Sequence, residues 1–450
     1  MKFRNYGLPL LATLATLAAT IGVTACKQNY TTGYLYVTGT QINTNTGQIG
    51  AFKINSTNGK LYDIPGQPFS SGGSNPVRAL VETSGRYLFA LNHGVESTDA
   101  STGNITYNGN GIASFSIGGS GTLSYQRTYQ SSGFGAERIL EYSGQYIYVL
   151  DEYEPAYATA ADGSNAVLTN GIPEANLNTA DSANFPCIDA NNIAHPVGAV
   201  TAYRVDPTTG VLTLVQNSQQ SNTTYFPVGC FPVDMHIASG YLYVMDKGSQ
   251  SNNDVETVYP YAISSSTGAL TQTSNGPYVT GASNVTTIGG DNAGSYIVLL
   301  DAGTNEIYMY SPGTSGSLQP ISGSPFANDS NVADPDALLF DSNTKFLYVA
   351  NASSSSTLNS GNGAISYFTL NPTSHVLSET PGSPTGTGSG PACIVEDPTN
   401  QFIYTADHIS STVTGHLYNP NTGVLSNLRA TTQYNTVGNP TWCMVDSHTD

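Results

Sequence analysis

Three carboxylates stand within four residues at Asp151, Glu152 and Glu154. Such a group can take a proton from water or offer oxygen ligands to a hard cation. Only seven arginines occur in the chain, and two of them, Arg78 and Arg138, open runs of alternating apolar residues, as Asp234 does further on. A base to activate water, beside a cation to hold a developing oxyanion, is what hydrolysis at a carbonyl requires. Asn92-His93, Asp246-Lys247 and Asp407-His408 close short aromatic runs in the way Asp151-Glu152 does. The recurring Asn or Asp has a plainer reading, because short polar side chains cap turns by bonding nearby backbone. The variable residues that follow, His93, Glu152, Lys247 and His408, are the better candidates for contact with a ligand. The three-carboxylate run is more simply a solvated acidic loop. No calcium-loop motif, Walker loop, dinucleotide fingerprint, HExxH or Gly-x-Ser-x-Gly elbow is present, so no metal and no cofactor is expected.

The elements that must position these residues repeat. An aromatic strand pattern starts at Tyr34, Tyr87, Tyr146, Tyr241, Tyr296, Phe346 and Phe402, at intervals of 53, 59, 95, 55, 50 and 56 residues. Each is followed by an alternating strand, a turn that often contains Thr-Gly, and a Leu, as in the stretch from Val205 to Val215. A third strand pattern precedes most of the aromatic ones, and a weaker fourth follows the Leu. Apolar-polar alternation marks all of them as sheet. Four short strands per unit of about 50 residues predict an all-β, seven-bladed β-propeller with four-stranded antiparallel blades. The chain opens on an aromatic strand that has no inner strand before it. It ends on Asn439–Asp446, which looks like the missing one, so the C-terminal strand is expected to complete the first blade and close the ring. The long interval holds an insertion at about 154–196, between the second and third strands of the third blade, on the face where the inner strands begin.

Composition narrows the surroundings. The net charge is −18 and charged residues make up 10%, far below the roughly 25% of ordinary soluble proteins. An acidic chain without a basic cluster is not a nucleic-acid binder. Residues 1–26 read as a signal peptide: Lys2 and Arg4, an apolar stretch from Leu8 to Val23, then Val23-Thr24-Ala25-Cys26, which resembles a bacterial lipobox with Cys26 as the lipidated residue. Residues 27–450 would then be the mature propeller, held to the membrane by its lipid alone. Lys27 after the cysteine favours the outer membrane by resemblance to Gram-negative sorting.

LYVTGT at Leu35, LYVANAS at Leu347 and VDPTTGVLTLV at Val205 resemble the blades of lactonase-type seven-bladed propellers, the 6-phosphogluconolactonase-like and YVTN-repeat proteins. The resemblance spans nearly all of the mature chain. It implies lactone hydrolysis by His, Arg and Glu in segments like Gly-Pro-Arg-His before an aromatic strand and Asn-Glu-Leu or Asp-Leu-Gly after it. Gly135-Ala136-Glu137-Arg138 stands at the first, without the histidine; Asp151-Glu152-Tyr153 resembles the second and Asp246-Lys247-Gly248 the third. Pro232-Val233-Asp234-Met235-His236 sets its histidine further along the strand.

The site expected from these readings is a polar funnel lined chiefly by Arg78, Arg138, Glu152, Asp234 and Lys247. Glu152 is the first choice for general base and Asp234 the second, with Arg138 steadying the oxyanion. The competing account of Arg138 is an ion pair with Glu137 or Asp234. The funnel would take a small polar or carbohydrate-like ligand; the alternative is a non-catalytic envelope module, working as a monomer, that binds a glycan or an envelope protein. Cys187 and Cys230 share that face and are expected to form a disulfide. Cys393 and Cys443 lie on inner strands of adjacent blades at offsets of opposite parity, which speaks against their facing each other.

Overall fold

The aromatic strand and the glycine turn that recur in the sequence meet each other across the boundaries between blades. In the computed structural model, which describes residues 30–98, 104–155, 157–159, 165–167, 172–173, 197–220, 223–247, 256–354, 363–428 and 431–448, the repeats form seven antiparallel sheets arranged as a ring, each built on a path of four strands, with a short fifth strand beside the third in six of them. In the third blade, running outward from the axis, the strands are Phe134–Tyr142, Tyr146–Tyr153, Ala199–Val205 and Leu212–Leu214. The fourth blade repeats this with Pro232–Ala238, Tyr241–Asp246, Thr257–Ile263 and Leu270–Gln272.

The second strand carries two aromatic positions, and each has a partner in the next blade. Tyr148 donates its hydroxyl to the Gly268 carbonyl at 2.9 Å, Tyr348 to that of Gly423 at 2.7 Å, and Tyr404 to that of Gly59 at 2.7 Å. The first aromatic lies flat on the same turn. A Cβ on Gly59 would come 2.5 Å from the Phe402 ring, and one on Gly423 would come 2.4 Å from Phe346. Those glycines also have φ of +68° and +73°, which side-chain-bearing residues rarely adopt. Apolar residues of neighbouring sheets fill the space between these contacts. Tyr148, Leu150 and Val200 of blade 3, for example, pack with Met235, Leu242, Val244 and Tyr261 of blade 4.

The ring closes as expected. Gly438–Asp446 pairs antiparallel with Thr31–Thr40 and supplies the innermost strand of the first blade. One expectation is overturned: Cys393 and Cys443 form a disulfide, with Cα atoms 5.8 Å apart. Cys393 pairs with Ala406 and Cys443 with Val37, one step apart in blade register. Equivalent positions in successive blades turn the same way round the ring, so side chains meet across a boundary when their parities are opposite. The parity rule for a single sheet does not hold between blades.

Residues 1–29, Cys187 and most of the insertion lie outside the described residues. Ile172–Pro173 of the insertion pair with the hairpin Val95–Thr98 and Asn104–Asn108, which rises between the second and third strands of blade 2. Among the described residues, no helix is long and apolar enough to cross a membrane.

Candidate functional site

Every inner strand begins with a bulge. In blades 2, 3 and 4, Pro76, Ala136 and Pro232 pair with Asn92, Asp151 and Asp246, while Arg78, Arg138 and Asp234, two residues on, pair with the very next residues, Leu91, Leu150 and Met245. The same shift occurs in blades 5 and 6 after Val285 and Pro335. A bulge re-aims the extra side chain. The extra residues of blades 3 to 6, Glu137, Val233, Thr286 and Asp336, all line one cleft of about 720 Å³. Arg138, Glu152, Lys247 and Glu256 line it with them.

Arg138, Glu152 and Lys247 are thus brought together as the sequence reading expected. Arg78 and Asp234 are not on the cleft wall. Asp234 is fully buried and accepts bonds from Arg138 Nε (2.9 Å), Met235 N (2.8 Å), Thr287 Oγ1 (3.2 Å) and Ile288 N (3.3 Å). The nearer guanidinium nitrogen of Arg78 is 3.5 Å from the same carboxylate. Arg78 lies with its guanidinium carbon 3.8 Å from the centre of the Trp442 ring, beside a second cavity of about 670 Å³. In blades 3 to 6 the bulged residue faces the opening; of the residues directly after a bulge, Asp234 and Arg78 turn into the wall, while Arg138 reaches both Asp234 and the cleft. Burial pushes the Asp234 carboxyl up, but Arg138 and Arg78 outweigh it and hold the group below the usual carboxylate range. Burial draws Arg78 down to about 10, still charged at neutral pH. For Arg138 burial acts the same way, but Asp234 and Glu137 overcome it and raise its value.

Two carboxyls on the cleft have a different balance. Burial raises Glu152, with Glu137 adding to the rise and Tyr153 and His93 opposing it. Burial carries Glu256 to about 7. Its Oε1 accepts from Val285 N at 3.3 Å, and its buried Oε2 has no hydrogen-bond partner among the described residues. Lys247 donates from Nζ to Asn284 Oδ1 at 3.3 Å.

His93 and His408 occupy equivalent places and make equivalent contacts. Nδ1 of His93 is 3.2 Å from the Ala136 carbonyl and 3.3 Å from Glu137 Oε1. Nδ1 of His408 is 2.9 Å from the Pro440 carbonyl. Each reaches the start of the next blade's inner strand, and neither is among the residues that line the cleft. Burial lowers His93, but its bond to Glu137 and that carboxylate's charge prevail and raise it. His236 is carried down to about 4 by burial. The Asn and Asp residues that end the second strands bond neighbouring loops and strands: Asp151 accepts from Gly133 N and Thr201 Oγ1, Asp301 from Ser283 N and Asn284 N, and Asp407 from the Thr405, Thr412 and Thr414 hydroxyls. Among the described residues no three acidic, histidine or cysteine side chains gather to hold a metal; along a strand Asp151 turns inward and Glu152 outward.

Glu137, Thr286, Asp336 and Glu256 are cleft residues that the sequence reading did not single out. The first three share one position, the bulged residue of the inner strand, which no sequence period marks. Glu256 stands just before a third strand and has no repeated counterpart.

Residues 307–441 match the family described as lactonase, 7-bladed beta-propeller. In fold the chain is a lactonase-like seven-bladed propeller. A candidate 6-phosphogluconolactonase from Bacteroides uniformis is similar at 13% identity, over 92% of this chain and 99% of that one, with a TM-score of 0.61. A periplasmic gluconolactonase from Pseudomonas aeruginosa is similar at 16% identity, over 92% and 99%, with a TM-score of 0.59. A protein from Lactobacillus plantarum follows at 16% identity, 92% and 99%, and 0.54. No curated protein matches the chain in sequence.

Proposed function

We propose that this protein hydrolyses a sugar-type lactone in the blade 3–6 cleft, as a bacterial envelope lipoprotein anchored through Cys26. One observation carries the reading: Arg138, oriented by the buried Asp234, and Glu152, whose carboxyl is raised by burial, line the same cleft. In the proposed reaction the Glu152 carboxylate takes a proton from water as the water oxygen attacks the lactone carbonyl. The carbonyl oxygen gains negative charge beside Arg138. The ring C–O bond then breaks, and its oxygen leaves as the alcohol with a proton returned from Glu152. Asp234 serves here as a positioning residue, because every bond it accepts comes from the wall.

A second reading has its own observation. His93 and His408 turn to backbone carbonyls of the next blade, which suits a non-catalytic module that binds a glycan or an envelope protein. A lactone panel assayed by pH-stat on residues 27–450, with and without divalent metal, separates the two. Turnover of at least one sugar lactone is expected; none on any lactone would rule out the enzyme.

A further inference from the structure

We infer that the cleft selects an uncharged polyhydroxylated lactone and rejects its phosphate ester, an inference that rests on the hydrolase reading above. Among the described residues four carboxyl groups line the cleft, Glu137, Glu152, Glu256 and Asp336, against two cations, Arg138 and Lys247. Two nitrogens of Arg138 are already engaged, Nε donating to Asp234 at 2.9 Å and Nη1 to the Glu137 carbonyl at 2.9 Å, so the guanidinium can meet one carbonyl oxygen but offers no bidentate pair to a phosphate. Arg78 shares the same Asp234 beneath the floor. That leaves Lys247, a single ammonium that bonds Asn284 on the wall. Phosphate is held well by bidentate guanidinium or by several donors together. A phosphate dianion entering here would meet an excess of like charge in an open cleft, a repulsion that salt screens. Hydroxyl groups suit the same lining. They donate to carboxylates, and the buried Glu256 Oε2 has no partner among the described residues, a condition that a donor from a ligand would relieve. Hydrolysis converts a neutral lactone into an anionic hydroxy acid, so the charge that admits the substrate also favours release of the product.

The test compares D-glucono-1,5-lactone with its 6-phosphate on residues 27–450, which carry the whole closed ring. Like-charge juxtaposition predicts kcat/KM about tenfold or more in favour of the neutral lactone at low salt. The gap should narrow at high salt and in Asp336→Asn and Glu137→Gln. Equal or faster hydrolysis of the phosphate ester would overturn the inference, as would a gap indifferent to salt and to both substitutions. Calorimetry with D-glucono-1,5-lactam and its 6-phosphate gives a readout that needs no turnover. Tighter binding of the neutral lactam supports the selection even if no lactone is hydrolysed, in which case the hydrolase reading alone fails. Equal or tighter binding of the phosphorylated lactam sinks the selection and leaves any observed hydrolysis standing.

Discussion

Arg138 on the third blade donates its Nε–H to Oδ1 of Asp234 on the fourth across 2.9 Å, directly beneath the cleft. The pair ties two inner strands together and aims a guanidinium that reaches both the buried acid and the opening. Arg78 adds a member from blade 2, and Thr287 and Ile288 add blade 5, so one carboxylate joins four consecutive blades.

Replacing Asp234 by Ala should therefore destabilise the ring. Removing one partner of a buried ion pair costs about 3–5 kcal/mol, which urea denaturation followed by circular dichroism can read. The sign with pH follows from the lowered folded value of Asp234. Its contribution is present above the unfolded carboxyl range and is lost as pH falls through the folded value. Wild type and variant should differ at pH 7 and converge in strong acid; a constant difference down to that range would contradict the assignment.

Glu152→Gln should lower kcat on the order of 100-fold with little change in KM, the loss typical of a missing general base. Because burial raises its value, wild-type turnover should fall as pH is lowered through the folded value of this group, and the variant should lack that limb. Rates by pH-stat decide it, and a variant as fast as wild type refutes the role.

Other buried carboxyls give a slope of opposite sign. Burial carries Asp151, Glu256 and Glu396 to about 7 and Asp407 to about 6. Groups raised in this way favour the fold fully below their unfolded values, and that advantage disappears as pH climbs through 6 and 7. The melting temperature should be lower at pH 8 than at pH 5.5, and Asp151→Asn should flatten the decline. A protein most stable at pH 8 would show that other charges dominate.

Cys393–Cys443 joins the seventh blade to the closing strand of the first. Cys443→Ser should cost about 2–4 kcal/mol, measured as a lower denaturation midpoint without added reductant. Cys230 is disulfide-bonded as well. Peptide mapping without reduction is expected to link it to Cys187, and a free, alkylatable Cys187 would exclude that pairing.

A palmitate analogue fed to cells should label the wild type and leave Cys26→Ala unlabelled. Equal labelling of both would remove the lipid anchor.

The sequence by itself determined the number of blades, the strand order and the closure of the ring. Those features rest on contacts that repeat: an aromatic residue meets a tight turn in the next blade, with glycine at its positive-φ position in most blades and His375 in the sixth, so the blades write similar residues at similar spacing. Tyr148 with Gly268 and Tyr404 with Gly59 are legible for that reason. It also placed Arg138, Glu152 and Lys247 near one face, because the ends of alternating strands are known once the strands are. Only the tertiary structure decided which side chains meet. The bulge at the start of each inner strand turns Glu137 and Asp336 outward and sends Asp234 into the wall, and a one-residue shift of that kind leaves no period to read. The rotation between blades brings Cys393 to Cys443 although their parities are opposite. Glu256 joins the cleft through a fold around residues far from it in the chain, and no local pattern encodes such a distance.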